Sequence, residues 1–507
     1  MRTLHPVGQG RKTLFRAAFL GTLAIASIAI GACAKEKPKP APQEVGSGPL
    51  PALPTTPGEP GSGASCGFPS AATAFALPVL VGVPASTFKA DTGSAMCASG
   101  GATLHYALRD MDGDQQPDLV VDSACDDATI GTIAWRIYRN TGAAFDPTPI
   151  RFTMPQPILD PSCAKTAIVD VDGDLKPDLV VLSLCTDASV GSTRWLVYPN
   201  VGTGFATPPV PFALPNDAPP GSFTALSRDT PACNGGIGPP AYAFFDIDGD
   251  RRNDLVITDA CNDLTVGTTS WRVHRNVAGG VDPNVLLFAL PTSPAVTLGA
   301  FPSSANRPAA CSASVSTPSY SLLDFNGDFK PDLVVTQACH DTTVGATRWL
   351  LYPNSGTGFA TSPVDVTLPT IAAAPLGSFP TPSADPACAS LHPSYITVDT
   401  TADFKPDLLV TRACADPSVG ATHWLLYPNG DAGLSTTSEP FTLPPVLGGT
   451  VTQPLGFGGA ASCTVPLRQG FFMSYLAHLK LHAVVTDVCG DPTVGTSRWL
   501  VYESSCL

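Results

Sequence analysis

Charge is scarce in this chain. Asp, Glu, Lys and Arg make up 14 % of its 507 residues, and 28 basic residues face 42 acidic ones for a net charge of −14. That balance leaves no basic patch to offset phosphate repulsion, so nucleic acid is excluded as a partner. Histidine is sparse as well, with 8 residues scattered along the chain. There is no His-Glu-x-x-His motif and no phosphate-cradling glycine loop, which removes the common zinc-hydrolase and nucleotide sites. Carboxylates outside the loops described below are few. Long helices are disfavoured too, because 53 Pro and 46 Gly interrupt the chain and favour short strands and turns.

The N-terminus stands apart from this pattern. Arg2, Arg11, Lys12 and Arg16 precede sixteen uncharged, mostly apolar residues, Ala17 to Ala32. A basic region, a short apolar core and small residues before a cut describe a secretory signal over 1–32. Sixteen residues is short for a membrane span. The signal closes on "IGAC", which resembles a bacterial lipobox. The resemblance implies cleavage before Cys33, a lipid on its thiol and attachment to the cell envelope. Ala34 in the next position points, by analogy with Gram-negative sorting, to the outer membrane or cell surface. Residues 33–65 are rich in Pro, Gly and small polar residues without an apolar period, and read as an extended tether.

Residues 66–507 are repetitive. Trp135, Trp195, Trp271, Trp349, Trp424 and Trp499 all lie in one phrase, such as "TRWLVYPN", at spacings of 60, 76, 78, 75 and 75. Each unit holds four strand-like segments; in the fourth these are "YSLLDF", "DLVVTQ", "RWLLYPN" and "DVTLP". Four antiparallel strands per repeat predict an all-β chain, a six-bladed β-propeller. The last repeat lacks its fourth strand, and "TAFALP" (Thr73 to Pro78) resembles the fourth strands "PFALP" and "LFALP". The N-terminal segment is therefore expected to complete the last blade.

Setting Cys33 aside, fourteen cysteines remain, an even number in an exported chain, which predicts a disulfide framework. Two fall in each repeat, just before the first strand and just after the second, at one end of an antiparallel pair. The expected bridges are Cys97–Cys125, Cys163–Cys185, Cys233–Cys261, Cys311–Cys339, Cys388–Cys414 and Cys463–Cys489. Cys66 and Cys506 are left over and should join the ends of the ring.

Acidic loops link the first and second strands. "DMDGDQQPD" places Asp110, Asp112, Asp114 and Asp118 at positions one, three, five and nine, with the carbonyl of Gln116 at position seven. Hard oxygen donors at alternating positions suit Ca²⁺, and a turn motif alone does not account for four like charges in one loop. The second loop offers Asp170, Asp172, Asp174, the Lys176 carbonyl and Asp178. The third offers Asp246, Asp248, Asp250, the Arg252 carbonyl and Asp254. The fourth has Asp324, Asn326, Asp328, the Lys330 carbonyl and Asp332. The fifth keeps Asp399, Asp403 and Asp407 but carries Thr401 and Ala402, and should bind more weakly. The sixth, "SYLAHLKLH", has no carboxylate and should be empty. Three to five calcium sites are expected from these loops. A second phrase, Cys-x-Asp-x-[Ser/Thr]-[Val/Ile]-Gly, recurs in all six units at Asp127, Asp187, Asp263, Asp341, Asp416 and Asp491. It reads as a hairpin turn closed by an Asx hydrogen bond.

The acidic loop, the blade length and phrases such as "NSGTGFA" resemble the FG-GAP/VCBS repeat family, which includes the integrin α-subunit propeller. The resemblance covers nearly all of 66–507. It implies Ca²⁺ between the first and second strands of a blade, on the Asp and Asn residues just named. The expected function is a lipid-anchored, calcium-binding surface module that adheres to a protein or glycan rather than an enzyme. Long blade-to-blade connections, such as Asn216 to Pro240, lie on the face opposite the calcium loops, where recognition is expected. Two other readings remain: a propeller enzyme acting on polysaccharide, and a structural subunit of an envelope assembly.

Overall fold

The computed structural model describes residues 66–83, 88–97, 103–155, 163–234, 236–291, 301–304, 310–311, 316–371, 379, 393–413, 415–444, 470–474, 476, 480–488 and 490–506. Cys33, the signal and the tether lie outside them. Strands are the regular elements among the described residues, and they form a six-bladed β-propeller. The first blade orders Thr103–Arg109, Asp118–Ser123, Ala134–Tyr138 and Ile150–Thr153 side by side. The second uses Ala164–Val169, Asp178–Leu184, Arg194–Tyr198 and Val210–Ala213. The third uses Ala241–Phe245, Asp254–Asp259, Ser270–His274 and Leu286–Ala289. The fourth and fifth run from Ser319–Leu323 to Val364–Thr367 and from Ser394–Val398 to Glu439–Thr442. Blades one, two and three exceed the expected four strands: Gly280–Val281 and Asn276–Val277, from the loop after the third blade's third strand, extend the second blade beyond Val210–Ala213. Thr92–Met96 and Ser227–Arg228, both from blade-to-blade connections, pair along the open edge of the first strand.

The sixth blade closes as the sequence predicts. Gly470–Ser474, His482–Asp487 and Arg498–Glu503 come from the C-terminus, and Thr73–Ala76 completes the sheet antiparallel to the last of these, Phe75 opposite Trp499. The second strands explain the apolar runs after each acidic loop. Leu119, Val120 and Val121 are all buried, as are Leu333, Val334 and Val335, because a propeller sheet is covered on both faces by its neighbours.

Two devices join the blades. In every blade but the fourth, where Trp349 faces Val366 and meets Tyr395, the third-strand Trp packs on a fourth-strand aromatic of its own blade and on a Phe from beyond it. Trp135 meets Phe152 and Phe205, Trp271 meets Phe288 and Phe359, and Trp499 meets Phe75 and Phe145. Edge-on and offset arrangements of this kind add about 0.5–1.5 kcal/mol per pair beyond area burial. Beside each cluster, the loop after a third strand pairs in parallel with the fourth strand of the preceding blade. The bridges are Ala144 to Ala76, Gly204 to Thr153, Gly280 to Ala213, and Gly358 to Ala289.

Residues 66–68 perform this last function for the sixth blade. Gly67 bridges to Thr442, the Phe68 N–H donates to the Thr442 carbonyl at 2.9 Å, and Phe68 packs on Trp424 and Phe441. A Cβ at Gly67, where φ is +146°, would fall 2.3 Å from the Thr442 nitrogen, so this contact needs glycine. The chain is thus interrupted inside a loop that is continuous in the other blades. Cys66–Cys506, with Cα atoms 4.6 Å apart, reconnects it.

Three further bridges form as expected: Cys97–Cys125, Cys163–Cys185 and Cys233–Cys261, at Cα separations of 5.5, 5.2 and 5.4 Å. Cys339 is disulfide-bonded; the side chain of Cys311 and the pairs Cys388–Cys414 and Cys463–Cys489 lie outside the described residues. Four disulfides indicate an exported, non-cytoplasmic protein. Replacing Cys506 with Ser should lower stability by about 2–5 kcal/mol under oxidising conditions. Calorimetric melting of the variant beside the oxidised parent checks this; identical melting would mean that backbone pairing alone closes the ring.

Candidate metal-binding loops

Each acidic loop is wound around its first carboxylate. Asp110 accepts the backbone N–H of Gly113 at 2.8 Å and of Gln115 at 2.7 Å. In the same way Asp170 takes Gly173 and Leu175, Asp246 takes Gly249 and Arg251, Asp324 takes Gly327 and Phe329, and Asp399 takes Ala402 and Phe404. Main chain wrapped this tightly needs left-handed backbone at positions four and six. Position six is never glycine: Gln115, Leu175, Arg251, Phe329 and Phe404 have φ between 66° and 71°. Strain of that kind persists where the surroundings over-determine it, and the position-one carboxylate supplies the constraint. Ala402, which replaces the position-four Gly, follows the same path at φ 60°.

The position-nine aspartates are buried and tie three segments together. Asp118 takes the Asn140 N–H on Oδ1 at 2.9 Å and the Met111 N–H on Oδ2 at 3.1 Å. Asp178, Asp254, Asp332 and Asp407 repeat both bonds, with Asn200, Asn276, Asn354 and Asn429 as the first donors. These asparagines then reach backwards around the ring. The Asn200 amide donates to the Met111 carbonyl of the preceding blade at 2.9 Å, and Asn276, Asn354 and Asn429 do the same to Val171, Ile247 and Phe325. Each acidic loop is therefore part of a blade interface.

Three loops gather carboxylates closely. Asp110, Asp112 and Asp118 each place an oxygen within 4.8 Å of the others, as do Asp170, Asp172 and Asp178, and Asp246, Asp248 and Asp250. The expected quartets are split. Asp174 turns onto Lys176 Nζ at 2.8 Å, and Asp114 onto the Gln116 amide at 3.2 Å, so both leave their groups. Asp254 stands outside the third group and spends its oxygens on backbone donors. In the fourth loop Asp328 pairs with Lys330 at 3.3 Å and Asn326 accepts the Asp328 N–H. In the fifth, Asp407 accepts both the N–H and the hydroxyl of Thr400, Asp403 accepts the Lys405 N–H, and Lys405 extends to Asp431. At the position-nine place of the sixth loop stands His482, and Lys480 pairs with Glu503 at 2.6 Å.

Burial raises these acids. It pushes Asp254 up to about 8 and Asp118, Asp178 and Asp332 up to about 7, with neighbouring carboxylates adding to the effect against the pull of the backbone donors. Asp110, Asp246 and Asp407 rise to about 6 for the same reasons. Asp112 Oδ1 is buried and accepts no hydrogen bond. An all-oxygen donor set, crowded anions and an unsatisfied buried oxygen fit a hard divalent cation.

The second recurring phrase is a turn. Asp127, Asp187, Asp263, Asp341, Asp416 and Asp491 each accept the N–H and hydroxyl of the Ser or Thr two residues on. Sequence reading missed the linking asparagines, although "PN" or "RN" follows the third strand in five repeats. It also missed Arg139 and Arg275, which stand 3.2 Å from Asp112 and 2.9 Å from Asp248.

No known family's sequence profile matches the chain, and no curated protein matches it. Solved structures match in fold. The Photorhabdus luminescens Tc holotoxin pore is 13 % identical at a TM-score of 0.46 over 88 % of this chain, which spans 15 % of that one. An Agrocybe aegerita lectin specific for non-reducing terminal N-acetylglucosamine is 13 % identical at 0.38, over 83 % of this chain and 88 % of its own. The α-L-arabinofuranosidase Arb93A of Fusarium graminearum is 10 % identical at 0.29, over 86 % and 98 %. These are likenesses of fold alone.

An acid whose folded pKa is raised favours the folded state while protonated, and that advantage is lost as pH rises through the folded value. In chelator, the melting temperature should therefore fall from pH 5 to pH 8, the interval that ends at Asp254 near 8. Melting across that range checks it; a metal-free protein that gains stability with pH would contradict the burial of these groups.

Proposed function

We propose that this chain is a calcium-binding β-propeller of FG-GAP/VCBS type, held at the cell envelope by a lipid on Cys33. On this reading it acts there as a binding or adhesion module for a protein or glycan. The calcium reading rests on one observation above the rest: three carboxylates converge in each of three successive loops at the same place in the blade. Ca²⁺ takes six to eight oxygens in flexible geometry, which suits side chains, the carbonyls of Gln116, Lys176, Arg252 and Lys330, and water together. Asp324, Asn326, Asp328 and Asp332 offer a fourth set, and Asp399, Asp403 and Asp407 a weaker fifth.

Recognition is assigned to the other face. Trp195 Nε1 donates to the Phe223 carbonyl at 2.7 Å, and Trp271, Trp349 and Trp499 do the same to Phe301, Phe379 and Phe88. These four connections are thus pinned to the blade core at a Phe, and Cys233–Cys261 fastens the one from Asn216 to Pro240 again. Between that connection and blade three, Asp217, Pro219, Ile237, Gly238, Asn262 and Arg272 line a cavity of about 50 Å³. That is far below the few hundred Å³ of a ligand pocket, so a partner would meet the surface of this connection rather than enter this cavity.

Calorimetric titration of the chelator-treated protein should find three to five calcium sites, counted from the loops that retain carboxylates. Asp112→Ala should lower the melting temperature in calcium and leave it nearly unchanged in chelator. A glycan array or envelope pull-down, run with and without chelator, tests the binding face. Retention of ligand in chelator would assign calcium to stability, whereas an absence of any envelope or glycan ligand would remove the adhesion reading.

A further inference from the structure

The five acidic loops have intramolecular cations at different places. In the second and fourth loops, Lys176 and Lys330 sit on the position-five carboxylates, Asp174 and Asp328. In the first and third, an arginine sits on position three instead. Arg139 Nε lies 3.2 Å from Asp112 Oδ2, and Arg275 Nε lies 2.9 Å from Asp248 Oδ2. Both arginines follow a third strand directly. Pro199, Pro353 and Pro428 occupy that place in the second, fourth and fifth blades and can donate nothing.

The difference matters because position three belongs to the carboxylate group in all three of the gathered loops, whereas Asp174 stands outside its group. In the first loop the two oxygens of Asp112 have separate surroundings. Oδ2 faces the guanidinium, while Oδ1 is buried and accepts no hydrogen bond. A buried anionic oxygen without a donor is costly unless a partner arrives. Asp110 and Asp118 beside it are acceptors too. A cation would satisfy Oδ1 and these neighbouring acceptors together. A guanidinium holding one oxygen fixes the carboxylate plane, as outer partners of metal ligands do.

We propose that Arg139 and Arg275 are positioning residues: each takes the outer oxygen of the position-three aspartate and presents the inner one to a bound divalent cation. This rests on the calcium reading above. The third loop carries an added link, since Arg275 Nη2 also donates to the Gly356 carbonyl of the fourth blade at 3.0 Å. The same arginine thereby couples that metal loop to a blade interface. Its inner oxygen is less free, because Asp248 Oδ1 accepts the Asp250 N–H at 3.3 Å. The first loop should consequently depend on its arginine more than the third.

Calcium titration calorimetry of the full chain tests this, with Arg139→Gln and Arg275→Gln beside the parent protein and melting in chelator as the control for folding. Arg139→Gln should weaken one site about ten-fold, Arg275→Gln should weaken a different site by less, and both should melt with the parent in chelator. If Arg139→Gln fails to fold, Arg275→Gln carries the same comparison. Affinity that is unchanged or tightened in the variants would overturn the positioning role, because an arginine that merely competed with the ion would release the site when removed. A parent protein that binds no calcium would instead overturn the reading on which this one rests.

Discussion

Five of the six blades depend on one buried carboxylate each. Asp118 and its equivalents Asp178, Asp254, Asp332 and Asp407 stand at the start of the second strand and are essentially without solvent. Each holds the position-two N–H of its own loop on one oxygen and the N–H of the asparagine after the third strand on the other. One side chain therefore fixes the loop, the adjacent hairpin end and the asparagine that reaches the preceding blade. Burying an anion is expensive, and two backbone donors offset only part of that cost, as the upward shifts of these acids register. The remainder is what a cation in the loop can offset.

Much of this was legible because repetition reports architecture directly. Six Trp at near-constant spacing and a last repeat short of one strand are enough to place Thr73–Ala76 beside Arg498–Glu503 and to pair Cys66 with Cys506. The apolar run after each acidic loop likewise announces a strand buried on both faces. What the sequence hid are choices settled across space. Whether Asp174 points into its loop or at Lys176 depends on the reach of a lysine side chain, which spacing alone does not encode. The extra strands Thr92–Met96 and Ser227–Arg228 depend on an open edge that exists only once the blade has formed. The role of Arg139 was hidden for a similar reason. Its place is held by Pro in three other repeats, so alignment of the repeats marks it as variable when it is the variation that matters.

The two faces of the ring carry different kinds of repetition. On one, the acidic loops and the asparagines repeat nearly word for word, because each must satisfy buried backbone donors and acceptors in its neighbour. On the other, the short turns repeat through Asp127 and its equivalents, with a Thr or Ser to close each, while the connections that cross them differ in length and composition. In four of the connections a Phe that receives the Trp N–H, such as Phe223 or Phe301, recurs. A scaffold that fixes one point of a connection and frees the rest is suited to varying a surface without disturbing the core.

The sixth blade shows what the acidic loops do for the other five by replacing them. Its loop has no carboxylate, and His482 stands where the buried aspartate would be. Glu503, at the place of Arg139 and Arg275, pairs with Lys480 from the loop itself. The following residue is Ser504 rather than asparagine, and its N–H donates to the Leu481 carbonyl at 2.8 Å instead of to a side chain. Charge is thus matched within the blade, with no excess of anions left for a cation to neutralise. The link to the preceding blade is not lost, because Gly67 and Phe68 supply it from the other end of the chain and Cys66–Cys506 holds them there. The disulfide restores at the closure the loop that is continuous in the other blades, so this blade keeps its parallel pairing with the preceding one although its own loop carries no carboxylate.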